Sequence, residues 1–460
     1  MCDNKWLILC LGLLAGCARF ESRPLAPAEN AACLEERSLN DLRLKDFLEQ
    51  SLKREFTNWP PASWDLDMLT LAAIYYQPTL EVARAQWSVA RGGQITAGQR
   101  PNPALTVTPG YSTTAANPWL PLVMIDIPIE TAGKRGIRKA QAANLAEAAR
   151  LNIAAVAWQV RGELRSNVVE FIAAESRENL LCSQVAIQEQ IVKLQEEQFR
   201  AGAISSSETL PARIALQRAR LEVADAQRQH VEAQSRLAET LGVPIRALEG
   251  LRIDFDLRRT PEKELGSAEL RRAALQGRAD VLAALADYDA SQSALQLEIA
   301  KQYPDVHLQP GYQYDEGDSK WTLGVVVDLP IFHQNQGLIA ETKARRQEAA
   351  ARFTALQARV LAELDRVTEA FRFSVHNLAE LRALVETLAK RRESVEAELK
   401  AGAAAPLDLL NAQIEAAAAD VARLDSEVRY QQGVSALESA VQQPFPLPQA
   451  IFESRRTDAH

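Results

Sequence analysis

The sequence predicts a mainly α-helical chain of two tandem repeats. Each repeat carries a long coiled-coil hairpin, and four β-strands per chain make a small part of a membrane β-barrel shared between copies. Three observations carry this expectation. The first is an alternation between Pro304 and Leu329. Val306, Leu308, Pro310, Tyr312 and Tyr314 are apolar or aromatic, and His307, Gln309, Gly311, Gln313 and Asp315 stand between them. Beyond the polar run 315–320, Trp321, Leu323, Val325, Val327 and Leu329 alternate with Thr322, Gly324, Val326 and Asp328. Period-2 patterning on both sides of a turn-rich loop reads as a hairpin with one apolar face.

The second observation is the placing of proline. None occurs between Pro128 and Pro211, or between Pro330 and Pro406. Proline breaks a helix interior at about 3 kcal/mol, so these gaps permit unbroken helices. From Gly136 to Gly202, or Gly337 to Gly402, each would extend about 100 Å at 1.5 Å per residue. Val360, Leu364, Val367, Phe371, Val375, Leu378, Leu381, Val385, Leu388, Val395 and Leu399 recur mainly at steps of three and four, the spacing of a coiled-coil seam. Such helices cannot close over one compact core and must pack as hairpins and against other copies.

The third is an internal duplication. Pro103-Ala104-Leu105 and Pro109-Gly110-Tyr111 match Pro304-Asp305-Val306 and Pro310-Gly311-Tyr312 at an offset of 201. Asp126-Ile127-Pro128-Ile129 matches Asp328-Leu329-Pro330-Ile331 at 202, and Arg200-Ala201-Gly202-Ala203 matches Lys400-Ala401-Gly402-Ala403 at 200. Anchors in constant order at a constant offset mark repeated units.

Taken in order, the chain begins with Lys5 and an apolar run from Trp6 to Leu14, too short for a spanning helix. Leu14-Ala15-Gly16-Cys17 resembles the lipobox of bacterial lipoproteins, which implies a signal peptide over 1–16 and acylation at Cys17. An ordinary secretory signal ending in a chance cysteine is the alternative. Ala18, where an Asp would favour inner-membrane retention, points to the outer membrane. Residues 17–64 form an arm with a short helix near Asn40 to Phe56. The first repeat spans 65–247, with strands near 104–111 and 120–129. A linker follows over 248–266, then the second repeat over 267–443, with strands near 306–314 and 321–329. Gly242 and Pro244 end the returning helix of the first repeat, and a proline-rich tail covers 444–460.

Composition narrows the function classes. The chain of 460 residues is 47% hydrophobic but only 6% aromatic, with a formal net charge of −8. That mild, interspersed charge argues against nucleic acid as a partner. Cys33 and Cys182 remain once the leader and Cys17 are set aside; they form no disulfide framework, and Cys182 is expected to be packed within its helix. His230, His307, His333, His376 and His460 show no HExxH or CxxC context, and no phosphate loop or nucleophile elbow occurs. No enzyme, metal site or cofactor is expected beyond the lipid at Cys17. The pairs Arg138-Lys139 and Arg345-Arg346 read as solvated helix faces or subunit contacts.

A soluble capping sheet is the plain reading of the strands. Isolated hairpins are marginal in water, however, and would leave edges unpaired. Nine to eleven residues suit a tilted membrane strand, and four strands cannot close a barrel alone. Val306, Leu308, Tyr312, Trp321, Leu323, Val325 and Val327 are then the lipid-facing set, with His307 and Asp328 facing the lumen.

The duplicated pattern from Leu69 to Gln443 resembles the TolC-like outer-membrane factors of tripartite efflux systems. Two runs, Ile127-Pro128-Ile129-Glu130-Thr131-Ala132-Gly133-Lys134-Arg135-Gly136 and Leu329-Pro330-Ile331-Phe332-His333-Gln334-Asn335-Gln336-Gly337, resemble the strand-to-helix junctions of the cobalt-zinc-cadmium resistance type. The resemblance implies a homotrimeric tunnel whose barrel takes four strands from each chain. A periplasmic adaptor and an inner-membrane pump of the RND type would dock at its far end. The linker and termini would form an equatorial collar. The implied cargo is heavy-metal cations, with drugs or other small organic molecules as the alternative.

The segment from Gly402 to Ala412 resembles the family's gate, which makes Asp408 the first gate acid. Asn411 stands where some members have a second acid, and the repeat places Glu208 in the equivalent position. An ordinary solvated acid, or one capping the first turn, is the competing reading. The turns at Gly202 and Gly402 combine small residues with a left-handed glycine; the resemblance makes them adaptor-docking tips. A lipid-anchored periplasmic adaptor would show a single hairpin, and a structural coiled-coil protein would leave strands and repeat unexplained.

Overall fold

Proline and capping residues set most element boundaries in the computed structural model, which describes residues 20–114, 116–259, 267–315 and 317–443. The leader, Cys17, part of the linker and the tail 444–460 lie outside the described residues. Helix α1 (Pro27–Glu35) leads to α2 (Leu42–Leu52), whose N-cap Asp41 accepts the Arg43 backbone N–H. Asp65 likewise caps α3 (Leu66–Tyr76) by accepting from the Met68 N–H at 2.7 Å. Pro78 then opens α4 (Pro78–Gly98), where its missing N–H costs no bond.

After strands β1 (Ala104–Thr108) and β2 (Leu122–Ile129), helix α5 runs unbroken through the 67 residues Lys134–Arg200, about 100 Å. Helix α6 (Ser206–Leu241) returns along it and accommodates Pro211 in its second turn. A 3-10 turn (Ile245–Leu248) starts the linker. The second half follows the same order: α7 (Ser267–Gly277), α8 (Ala279–Ala300), β3 (Val306–Asp315), β4 (Asp318–Val327), the 65-residue α9 (Gln336–Lys400) and α10 (Pro406–Val441).

Helix α5 is the spine. It packs against α6, α10, α4 and α8, while α9 packs against α10 and α8. The helices therefore lie side by side in a layer, with α6 and α9 on its flanks. Within it, Arg161 and Arg165 of α5 share Glu438 of α10 at 2.7 and 2.6 Å, and Arg177 pairs with Asp425. Burial, the largest influence on Arg165, lowers its pKa, and Glu438 opposes that. Gln431 of α10 donates to the carbonyls of Leu257 and Arg259, both at 2.8 Å, and so pins the linker across the α5–α10 seam.

The N-terminal arm is part of the main core. Leu39, Leu44, Leu48 and Phe56 are buried with Leu69, Ile74, Ile153, Leu164, Leu237 and Leu241. Arg37 donates to the carbonyls of both Tyr76 and Gly242 at 2.8 Å, joining arm, α3 and the end of α6. Trp64 forms a parallel bridge to Ile253, so arm and linker meet.

The strands form one antiparallel sheet in the order β1-β2-β3-β4, with β2 joined to β3 across the two halves. Strand extents differ from the expected ones at several ends, β2 beginning at Leu122 rather than near 120. β1 ends at Thr108, yet Gly110 and Leu120 still exchange both backbone bonds, at 3.2 and 2.8 Å, and the Tyr111–Trp119 bridge continues the register. The β3–β4 pairing runs through the polar loop as far as Asp315 with Asp318, so β4 begins earlier. It also ends earlier, at Val327, so Asp328 is not a strand residue.

Candidate functional site

Register decides which side chains share a face, since directly paired residues point the same way. Val306 pairs with Val327, Leu308 with Val325, Pro310 with Leu323 and Tyr312 with Trp321. Val123 pairs with Tyr312, Ile127 with Leu308, and Ile129 with Val306. Leu105 and Val107 join the same face through Ile125 and Val123. All seven predicted lipid-facing residues lie on this apolar face. The opposite face is mainly polar or small, with Thr106, Asp126, His307, Gln309, Gln313 and Thr322, and Leu122, Met124, Pro128 and Val326 among them.

At the loop end of the apolar face stand four aromatics in two ring pairs, Tyr111–Trp119 at 5.4 Å and Tyr312–Trp321 at 5.0 Å. An aromatic girdle at one rim of an apolar band is the pattern of a membrane strand. Alternation alone put the second pair in the set expected to face lipid. Tyr111 and Trp119 stand outside that set, although Tyr111 lies within the expected strand 104–111; the match of Tyr111 to Tyr312 at an offset of 201 is the signal that finds the pair.

At the helix end, each sheet-to-helix junction is clipped by polar bonds. Lys134, buried at the start of α5, donates to the Tyr303 carbonyl at 2.6 Å and to Asp305 Oδ1 at 2.8 Å. The Thr131 N–H also donates to Asp305 Oδ1, at 2.8 Å. Burial, the largest single influence on Asp305, raises its pKa, but the bonds from Lys134 and Thr131 together outweigh it and leave the carboxyl below its ordinary value. In the second half Asn335 Nδ2 donates to the Glu298 carbonyl and carboxylate, both at 2.8 Å. Gly133 and Asn335 adopt left-handed φ values of 68° and 62° immediately before the long helices. Those runs thus turn the chain from sheet to helix.

The far ends of the hairpins are two near-identical turns. Gly202 and Gly402 have φ of 75° and 77°. The Ala203 N–H reaches Gln198 O at 2.9 Å, and the Ala403 N–H reaches Glu398 O at 2.8 Å, the reversed bonding of a Schellman cap. Just beyond them, Asp408 Oδ2 accepts from the Ala405 N–H at 2.9 Å and Glu208 Oε2 from the Ser205 N–H at 3.2 Å. Both acids cap their helices and both are exposed, as is Asn411 one turn after Asp408. Capping engages one carboxylate oxygen and leaves further acceptor capacity. Cys182 is exposed, as is Cys33, so the expectation that Cys182 is packed is overturned: its neighbour Leu181 takes the buried position.

Among the described residues, no group of three or more His, Cys, Asp or Glu could hold a metal ion. No described helix is long and apolar enough to cross a membrane.

Comparison with known proteins agrees with this geometry. The cobalt-zinc-cadmium resistance protein CzcC of Cupriavidus metallidurans is 27% identical over 261 residues, 56% of this chain and 61% of that protein. The match thus spans about three fifths of the curated relative. Crystal structures of CusC superpose with a TM-score of 0.66 at 15% identity, covering 84% of this chain and 95% of that one. VceC of Vibrio cholerae gives 0.66 at 20% identity, covering 82% and 95%. The family described as Outer membrane efflux protein matches twice, over 72–243 and 270–441, on helices that lead into and return from one apolar-faced sheet. The chain is therefore a member of the outer membrane efflux protein family.

Proposed function

We propose that three copies of this chain close their sheets into one outer-membrane barrel of about twelve strands, continued by the long helices as a tunnel through the periplasm. The observation that carries this reading is the sheet itself. Among the described residues it has one continuous apolar face, one mainly polar face and two open edges, β1 and β4. An open edge in water invites aggregation, and in lipid an unpaired edge is not tolerated. Closure against other copies satisfies both edges and places the polar face around a lumen. Exposed Leu210, Ile214, Leu221 and Val231 on α6 and Phe373 and Leu384 on α9 give the flanking helices apolar contact surface for the same closure.

In this reading the protein is a passive conduit, anchored by lipid at Cys17. It receives substrate at the Gly202 and Gly402 tips from a periplasmic adaptor and an inner-membrane pump of the RND type. Heavy-metal cations are the proposed cargo, supported by the likeness to CzcC, a cobalt-zinc-cadmium resistance protein. Drugs or other organic molecules are the second reading, since such a lumen selects little beyond what the pump delivers. Density-gradient fractionation tests the location and state: a heat-labile trimer in the outer membrane is expected, and recovery in the soluble periplasm sinks the channel reading.

Asp408, with Asn411 one turn on and its repeat equivalent Glu208, is proposed as the gate. A ring of three acids around an axis would attract cations and repel anions. Asp408→Ala should raise single-channel conductance and weaken divalent block in planar bilayers. Unchanged values would leave Asp408 as a helix cap alone.

A further inference from the structure

The polar face of the sheet holds one built pair that the family assignment leaves unused. His307 lies at the helix-side end of β3, registered with Pro128, and Asp126 is two residues away along β2 on the same face. His307 Nδ1 stands 3.0 and 3.1 Å from the two Asp126 oxygens, and Gln309 Nε2 reaches Asp126 Oδ1 at 3.4 Å. Both members of the pair are about two-thirds covered, with side-chain exposures of 32% and 28%.

We infer that His307, oriented by Asp126, is a transit ligand for borderline divalent cations such as Zn²⁺ or Co²⁺ at the inner mouth of the barrel. This rests on the channel reading and deepens it toward metal cargo. The carboxylate can only accept, so it holds the imidazole with Nδ1–H donating and leaves Nε2 as a lone-pair donor. Metal-ligating histidines are typically held in this way, and such partners fix ring orientation and raise ligand basicity. Imidazole suits Zn²⁺, Co²⁺ and Cu²⁺, whereas Mg²⁺ and Ca²⁺ prefer oxygen.

The pair offers no complete coordination sphere, and water must fill the remaining positions. That incompleteness suits a conduit, where a site must be favourable enough to enter and weak enough to leave. His230 forms a comparable pair with Glu178 at 2.9 Å, but on the side of the helical layer against the Phe171 ring. It therefore serves as an internal reference for adventitious histidine binding.

The test uses the full-length trimer. In planar bilayers, the Zn²⁺ concentration that halves the K⁺ current should rise at least about tenfold in His307→Ala, and about as much in Asp126→Asn, where the ligand remains but its orientation is lost. Block by Mg²⁺ should not move. In parallel, Zn²⁺ should protect His307 from carbethoxylation at concentrations that leave His230 reactive, which mass spectrometry reads whether or not the channel opens. Equal protection of both histidines, or wild-type Zn²⁺ block in His307→Ala, overturns the inference while leaving the channel standing. A protein that forms no conducting trimer overturns the channel reading and a role in transit with it, and the labelling result then decides only whether His307 is a Zn²⁺ ligand.

Discussion

Gly242 and Gly402 hold nearly the same left-handed backbone, φ 71° and 77°, yet a side chain would meet different surroundings at each. At Gly402 a Cβ finds nothing within 4 Å, whereas at Gly242 it would sit 2.9 Å from the Tyr76 carbonyl oxygen. Gly402→Ala should therefore cost only the left-handed penalty, about 1–2 kcal/mol. Gly242→Ala adds overpacking of about 1–3 kcal/mol. Thermal unfolding of the two variants side by side checks the order, and a larger loss at Gly402 would contradict it. Both glycines were legible as turns from sequence, because proline and helical periodicity frame them. What the Gly242 carbonyl does was not legible: it accepts from Arg37, 205 positions away in sequence.

At the scale of elements, the α5–α10 seam turns on Glu438. Its carboxylate is 18% exposed and holds Arg161 and Arg165, at 6% and 10%. Breaking a buried ion pair by removing one partner leaves uncompensated charge and typically costs about 3–5 kcal/mol. Glu438→Ala should lose about that much and loosen the linker pinned by the neighbouring Gln431; denaturant titration of the purified protein measures it. The sheet-to-helix junction gives a pH prediction. The carboxyl of Asp305 lies below its ordinary value, as does that of Glu298. At Glu298 too, burial is the largest influence and raises the value, but bonds from Lys301 and Asn335 outweigh it. Stability from a depressed carboxyl is present above its unfolded pKa, about 4, and is lost as pH falls through the folded value. Hydrogen exchange at residues 130–138 should therefore be protected at neutral pH and lose protection below about pH 4. Asp305→Asn should flatten that dependence. The junction runs were recognisable as sequence, but the bond from Lys134 to Asp305 joins the two halves and no local pattern announces it.

At the scale of the whole molecule, the proposed assembly turns on the faces of the sheet. Val325 lies on the apolar face, opposite Leu308, and is exposed in the single chain. Val325→Arg should cost about 2–4 kcal/mol if it sits near the bilayer midplane. The trimer should then dissociate at lower temperature on semi-native gels. A normal trimer carrying that arginine would count against the lipid face.

Fold class, helix lengths, the tip glycines and the identity of the apolar face were all set by local features of the sequence: proline spacing, periodicity and a duplicated pattern. These are one-dimensional signals, because a helix or strand has a fixed period and a breaker acts where it stands. Four matters needed the tertiary structure. It joined the two hairpins through β2 and β3. It drew the N-terminal arm into the main core. It turned Asp408 and Glu208 toward their own helix ends. It also set Asp126 beside His307. Apart from the two helix caps, whose partners lie three residues away, each depends on contacts between residues far apart in the chain, whose partners are chosen by packing rather than by any periodicity the sequence displays.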